Sequence, residues 1–221
     1  MGASARRRGF TLAELMFAIA IFSMVMAGLG AIYVSSLRQS VSISGEARLK
    51  SMAVLAMHAV RSEVVVATRI DSPVEGGTSD VLIGGRNVAR DGMNPMDGIA
   101  GDTRWFGFCV RYTPIGACGS SLLDPTPCIF YYSGAGWPPP AVGAGNCGSP
   151  LGGATPMLVA SGLNGPANGA PNYFSRQIAF KAANWNQVRF SFRLTRAATG
   201  ASQVLNYSGD STFNGQFSRY Q

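Results

Sequence analysis

Glu14 is the first residue in this chain with the means to do chemistry and no obvious reason to be where it is. It follows the basic block Arg6, Arg7 and Arg8 and stands at the head of an apolar run, in RRRGFTLAELMFAIAIFSMVMAGLGAIYV. An ionised carboxylate deep in a bilayer costs on the order of 2.5 to 3.5 kcal/mol on insertion scales, so such a group needs a partner. The other reactive candidates are four cysteines, Cys109, Cys118, Cys128 and Cys147. An even count in an oxidising compartment suits two disulfides, with three connectivities open. One of these closes ACGSSLLDPTPC through Cys118 and Cys128 and leaves Cys109 with Cys147 to hold a Gly/Pro-rich loop. Spacings of nine, ten and nineteen residues do not suit the short pairs of a zinc site. His58 is the single histidine, which excludes histidine triads and multi-histidine metal sites. Asp71, Glu75, Asp80, Asp91, Asp97 and Asp102 are oxygen ligands in type but lack the spacing of a calcium loop. No phosphate-binding G-x-x-x-x-G-K-[ST] loop, nucleophile elbow or paired-acid signal is present, so the chain reads as neither a nucleotide hydrolase nor an enzyme of another kind. No cofactor or metal is expected.

These residues must be positioned by a few elements. From Leu15 to Leu37 there are 23 consecutive uncharged positions. At about 1.5 Å per residue they form roughly 34 Å of helix, enough to cross a bilayer core of about 30 Å. Arginines before the span place it as a single pass with the remainder outside the cytoplasm. The cysteines lie in that exported part. The helical pattern continues through Leu49, Met52, Ala56, Val60, Val64 and Ala67, while Arg48, Ser51, His58, Arg61 and Ser62 fall largely on other faces. A single helix over residues 10–70 is therefore expected, stopped by Ser72 before Pro73.

Beyond Asp71 the texture changes: all 12 prolines and 23 of the 28 glycines lie in residues 71–221, among short runs of aromatic and β-branched residues. Strands are expected at 81–83, 104–112, 128–132, 157–160, 177–182, 188–195 and 213–220. In QVRFSFRLTR, Val188, Phe190, Phe192 and Leu194 alternate with Arg189, Ser191, Arg193 and Thr195, which predicts a sheet with one buried and one wet face. The apolar stripe of the helix is its natural cover. Residues 133–171 read as surface loops around one short strand. Trp105, Phe106, Phe108, Phe130, Tyr131 and Tyr132 read as strand core rather than a binding surface. The architecture expected is α+β: leader 1–9, helix 10–70 with a transmembrane part at about 15–37, and a mainly antiparallel β head at 71–221.

If a peptidase cuts after Gly9, the new N-terminus is Phe10, four residues before Glu14. Positions i and i+4 share a helix face, so the carboxylate could approach that amine or the amine of an adjacent subunit. The first turn of a helix also favours a negative group. GFTLAEL, after a short basic leader ending in Gly9, closely resembles the prepilin signal of bacterial type IV pilins and type II secretion pseudopilins. The resemblance covers residues 6–37 and implies cleavage after Gly9 by a membrane prepilin peptidase, N-methylation of Phe10, and a docking role for Glu14. It further implies a home in the inner membrane with the head in the periplasm, other pilin or pseudopilin subunits as partners, and an assembly platform and ATPase acting indirectly. Many major pilins carry a helix-bending proline about twenty residues after the cut; here the region reads Gly28, Leu29, Gly30, Ala31, which leans toward a minor subunit. The run PMLVASGLNG, YFSRQIAFKA, WNQVRFSFRL, TFNGQFSRY resembles the order in larger minor pilins and J-type pseudopilins. The expected function is a minor pilin or pseudopilin of a pilus, secretion or competence machine. The alternative is a pilus-borne binding subunit, an adhesin or DNA-uptake pilin, for which the net charge of +7 and residues such as Arg189 and Arg193 are suited. A twin-arginine signal in RRGFTL, a signal-peptidase site in AGLGA and a plain signal anchor compete for the same segment, and an acid in the apolar core suits them poorly.

Overall fold

A computed structural model describes residues 11–88, 102–116, 118–119, 126–143, 145–163, 165–166, 172–177, 187–198 and 201–212. One α-helix, α1, runs Leu12–Val66, 55 residues. The chain divides into two compact units, Met1–Ala47 and Arg48–Gln221. In the first unit the large apolar side chains Leu15, Phe17, Ile21, Phe22, Ile32 and Tyr33 of α1 are each more than half exposed. By length and composition this helix is able to cross a membrane.

Among its described residues the second unit contains the end of α1 and nine strands: β1 (Arg69–Ser72), β2 (Thr78–Ser79), β3 (Val81–Arg86), β4 (Arg104–Arg111), β5 (Cys128–Ala135), β6 (Met157–Ala160), β7 (Phe174–Arg176), β8 (Gln187–Ala198) and β9 (Ala201–Thr212). They form a five-stranded sheet in the order β1-β3-β4-β5-β6 and a four-stranded sheet in the order β2-β7-β8-β9. Every strand pairing is antiparallel. One long helix packed on antiparallel sheets is the α+β, pilin-like arrangement expected.

The helix ends earlier than residue 70. The last turn closes with Ala67 N donating to Val64 O at 3.1 Å, and Thr68 then leaves the helix. Thr68 N donates to Gly85 O at 2.9 Å, and its hydroxyl donates to Val88 O while accepting from Val88 N. These bonds hand Arg69 and Ile70 to β1, which pairs with β3. Pro73 therefore follows a strand rather than stopping a helix. A β-branched residue followed by an edge pairing outcompetes the last helical turn.

Ala53, Ala56, Val60 and Val64 of α1 are buried, with Met57 and Ala59 partly so, against Leu82, Phe106, Phe108, Val110 and Ile129 of the five-stranded sheet and Phe174, Val188, Phe190 and Phe192 of the four-stranded one. The alanines remove side-chain bulk where helix and sheets meet. Phe174 and Phe190 stack with ring centroids 4.9 Å apart.

The five-stranded sheet, which the QVRFSFRLTR strand does not join, is covered on both faces. Along β4, Phe106, Phe108 and Val110 enter the core beneath α1, whereas Trp105 and Cys109 enter a second core with Cys118, Cys128, Phe130, Tyr132, Val142, Cys147 and Ala154. The Gly/Pro-rich loop is not simply a surface loop: Val142, Cys147 and Ala154 within it are buried and cover the opposite face of the sheet. In β8, Val188, Phe190 and Phe192 are buried and Arg189 is exposed, as the alternation predicts, but Ser191 is buried as well. The strand expected at 177–182 falls almost wholly outside the described residues, with β7 just before it; the strand expected at 213–220 also lies outside them. β9 was not legible because ASQVLNYSGDST has no clean alternation.

A polar seam joins the strands of the two sheets where β2 passes into β3. Tyr112 OH donates to Asp80 Oδ2 at 2.6 Å, and Tyr173 N donates to Asp80 Oδ1 at 3.4 Å. Burial, then the hydrogen bond to Asp80, pushes the Tyr112 hydroxyl above its usual range; burial pushes Tyr173 up to about 12. A tyrosine that holds its proton more tightly when folded contributes stability below the unfolded value of about 10 and loses it as pH rises toward the folded value. The thermal midpoint of the full chain in mild detergent is therefore expected to fall steeply between about pH 10 and 12. Tyr112→Phe should flatten that fall; an unchanged alkaline slope would contradict it.

Candidate processing and docking site

The first helical turn of α1 is built by Thr11 and Glu14. Thr11 stands before the helix, and its backbone N–H donates to Glu14 Oε2 at 2.9 Å while its hydroxyl donates to the same oxygen at 3.0 Å. In return Glu14 N donates to Thr11 Oγ1 at 3.3 Å. This reciprocal pair is a capping box, which satisfies donors that a helix N-terminus otherwise leaves without partners. Glu14 thus has a partner in the residue that caps its own helix, in addition to any amine brought to it. Thr11 is a partner of Glu14 that the sequence alone did not bring forward. Its signal was present, since Thr-x-x-Glu directly before an apolar run is the signature of such a cap.

Gly9 and Phe10, the residues on either side of the expected cut, lie outside the described residues. So do Arg6, Arg7 and Arg8. What is described is the frame that would receive them: an N-terminal turn whose carboxylate is fixed three residues beyond Thr11, with helix-dipole potential favouring its charge. Thr11→Val would remove both hydroxyl contacts but keep the backbone bond. At about 1 kcal/mol for a lost cap, amide hydrogen exchange in the first turn of α1 is expected to quicken roughly fivefold. Unchanged exchange would mean that the hydroxyl contributes nothing to the cap.

The cysteines sit in the second core. Cys109 is bonded to Cys147, with Cα atoms 5.8 Å apart, and Cys118 to Cys128, at 6.0 Å. The first bridge ties the Gly/Pro-rich loop to β4. Polar contacts surround it: Arg111 Nη1 donates to Gly145 O and Cys147 O, each at 3.0 Å, and Tyr132 OH donates to Ser149 O at 3.1 Å. Gly148, at φ 84°, donates its N–H to the Tyr132 hydroxyl at 2.5 Å. A side chain there would be strained by the left-handed backbone.

The remaining candidates do not converge. His58 is exposed on α1. Asp71 is paired with Arg69, and Asp80 with Tyr112; Asp91 and Asp97 lie outside the described residues. Among the described residues no group of three or more His, Cys, Asp or Glu side chains could hold a metal ion. Trp105, Phe106, Phe108, Phe130 and Tyr132 are buried, and Tyr131 is half-buried, donating its hydroxyl to Glu63 Oε1 at 2.8 Å.

Residues 4–30 match the family model described as the prokaryotic N-terminal methylation motif. No curated protein and no solved structure gives a significant match to the chain. The match falls on the segment that contains Gly9, Phe10, Thr11 and Glu14. The chain therefore carries a prokaryotic N-terminal methylation motif at residues 4–30, at the head of a long helix that packs against antiparallel sheets.

Proposed function

We propose that this chain is a minor pilin or pseudopilin, a structural subunit that is cut after Gly9 by a prepilin peptidase, N-methylated on Phe10, and drawn from the inner membrane into a type IV pilus or type II secretion pseudopilus. The observation that carries the reading is the methylation motif at residues 4–30 together with Glu14 held at the first turn of an exposed apolar helix. An apolar helical segment, residues 12–37, whose one acid, Glu14, stands at its N-terminal end is suited to two environments. In lipid the cap partly offsets the charge of Glu14. In a filament the helices of neighbours replace lipid, and the methylated amine of Phe10 supplies the counter-charge.

The head is a passive, disulfide-stapled body in this reading, and the work of assembly comes from a cytoplasmic ATPase acting through other membrane proteins. The single span of about 15–37 leaves the head in the periplasm, where both bridges form. The test is fractionation of a strain expressing the tagged chain. Processed subunit is expected in the membrane and in sheared surface or periplasmic filaments. Processed subunit confined to the membrane, with filaments present but lacking it, would overturn the reading.

A further inference from the structure

Arg193 in β8 is a half-buried cation whose own neighbourhood supplies no counter-charge. Residues 125–209 contain Arg176, Lys181, Arg189, Arg193 and Arg196 but no Asp or Glu. Arg176 donates Nη1 to Ile70 O at 2.9 Å and lies in the field of Glu75 and Asp71. Arg189 stands opposite Asp210 in the β8–β9 register. Arg193 stands opposite neutral Asn206, and Asp210 lies four residues further along β9, about 14 Å away. Among the described side chains no carboxylate pairs with Arg193, and its Nε is buried with no hydrogen-bond partner.

The surroundings hold the guanidinium in one place. Arg193 N donates to Gly165 O at 2.9 Å, and Gly165 N donates to the Tyr173 hydroxyl at 3.1 Å. Gly165 has φ 79°, and a Cβ built on it would lie 3.3 Å from Arg193 Nη2, so glycine supplies both the turn and the room. Tyr173 is 1% exposed; burial pushes its ionisation up to about 12 despite the opposing pull of Arg193. It is therefore a neutral neighbour and not the counter-ion. Asp80 is engaged at the backbone end of Tyr173, where it accepts from Tyr173 N and from Tyr112 OH. A guanidinium sunk to its Nε has lost water on its inner side, and an unpaired charge so placed is costly. Arg193 as a whole is only half-buried, so the outer edge of its fork, Nη1 and Nη2, remains for a ligand. That edge offers two parallel donors and a single positive charge, the match for a carboxylate rather than a phosphate dianion. We propose that the Nη1/Nη2 edge of Arg193, set over Gly165 beside Tyr173, is a binding site for one carboxylate group. The group is carried by a free organic acid or by the C-terminus of a peptide. The site stands apart from the filament reading and does not depend on it.

The test titrates sodium acetate into the full chain in mild detergent at neutral pH, with sodium chloride holding the ionic strength constant. The thermal midpoint is expected to rise saturably with acetate by a few degrees, as for any ligand held only by the folded state. Arg193→Met should have a midpoint in chloride alone at or above wild type, because an unpaired charge has gone, and should not respond to acetate. Arg193→Lys, which keeps the charge but not the fork, should respond with a half-saturating acetate concentration raised severalfold. N-acetyltriglycine and its amide separate the sources. Binding about tenfold tighter than acetate, with the amide inert, assigns a peptide end; binding no tighter than acetate assigns a free acid. A midpoint that responds equally to acetate and chloride would overturn the proposal, as would an acetate response that survives in Arg193→Met. So would Arg193→Met melting well below wild type in chloride, which would show the guanidinium satisfied without a ligand.

Discussion

Glu14→Ala is expected to leave cleavage and methylation unchanged and to lower incorporation into filaments at least tenfold. Two effects act in the same direction. Removing the carboxylate makes the helix more comfortable in lipid, because an acid near the apolar core is disfavoured there even when capped. It also removes the counter-charge that the Phe10 amine of an adjacent subunit would meet in the filament. A loss of about 1.4 kcal/mol between the two environments already gives a factor of ten. Glu14→Gln separates the two roles of the side chain. Glutamine can still accept from Thr11 and complete the capping box, but it carries no charge. If charge pairing drives docking, the glutamine variant assembles nearly as poorly as the alanine one. Assembly of the glutamine variant at the wild-type level would assign Glu14 to the cap alone, and undiminished assembly of both would remove it from docking altogether.

The second large effect lies in the head. Cys109→Ser/Cys147→Ser opens a loop of sequence separation 38, and Cys118→Ser/Cys128→Ser one of 10. Loop-closure entropy alone gives about 4 kcal/mol for the first and about 3 kcal/mol for the second, with native strain able to reduce either. The first pair should be the more damaging for a further reason. Without it the loop over the second core is held mainly by polar contacts from Arg111 and Tyr132, and its release would bare Trp105, Phe130 and the ring of Tyr132. The expected result is a large fall in thermal midpoint for Cys109→Ser/Cys147→Ser and a smaller one for the other pair, with aggregation or proteolysis of the first in the cell. Equal, small shifts would show that the loop holds its place without the bridge.

Much of this was legible in the sequence because the signals were periodic. The helix announced itself by 23 uncharged positions followed by a three-and-four spacing, and β8 by the alternation of Val188, Phe190 and Phe192. Three things were not legible, each for a physical reason. The end of α1 depended on Thr68 finding Gly85 and Val88, partners seventeen and twenty residues away, which no local propensity encodes. The second core depended on Gly- and Pro-rich chain returning to cover β4 and β5, and composition alone reads such chain as surface. The partition into two sheets arose at Asp80, where β2 and β3 are neighbours in sequence but belong to different sheets. At the N-terminus the cap is local, and its Thr11-x-x-Glu14 spacing is as visible in the sequence as the charge of Glu14.

The central claim is that the carboxylate at Glu14 belongs to a helix made to be cut, methylated and polymerised. Mass analysis of the N-terminal peptide from the membrane-bound protein tests it most directly. A single mature form beginning with N-methylated Phe10, followed by Thr11, is expected. A form that retains Gly9 and the arginines, or one that begins downstream of the apolar run, would contradict it.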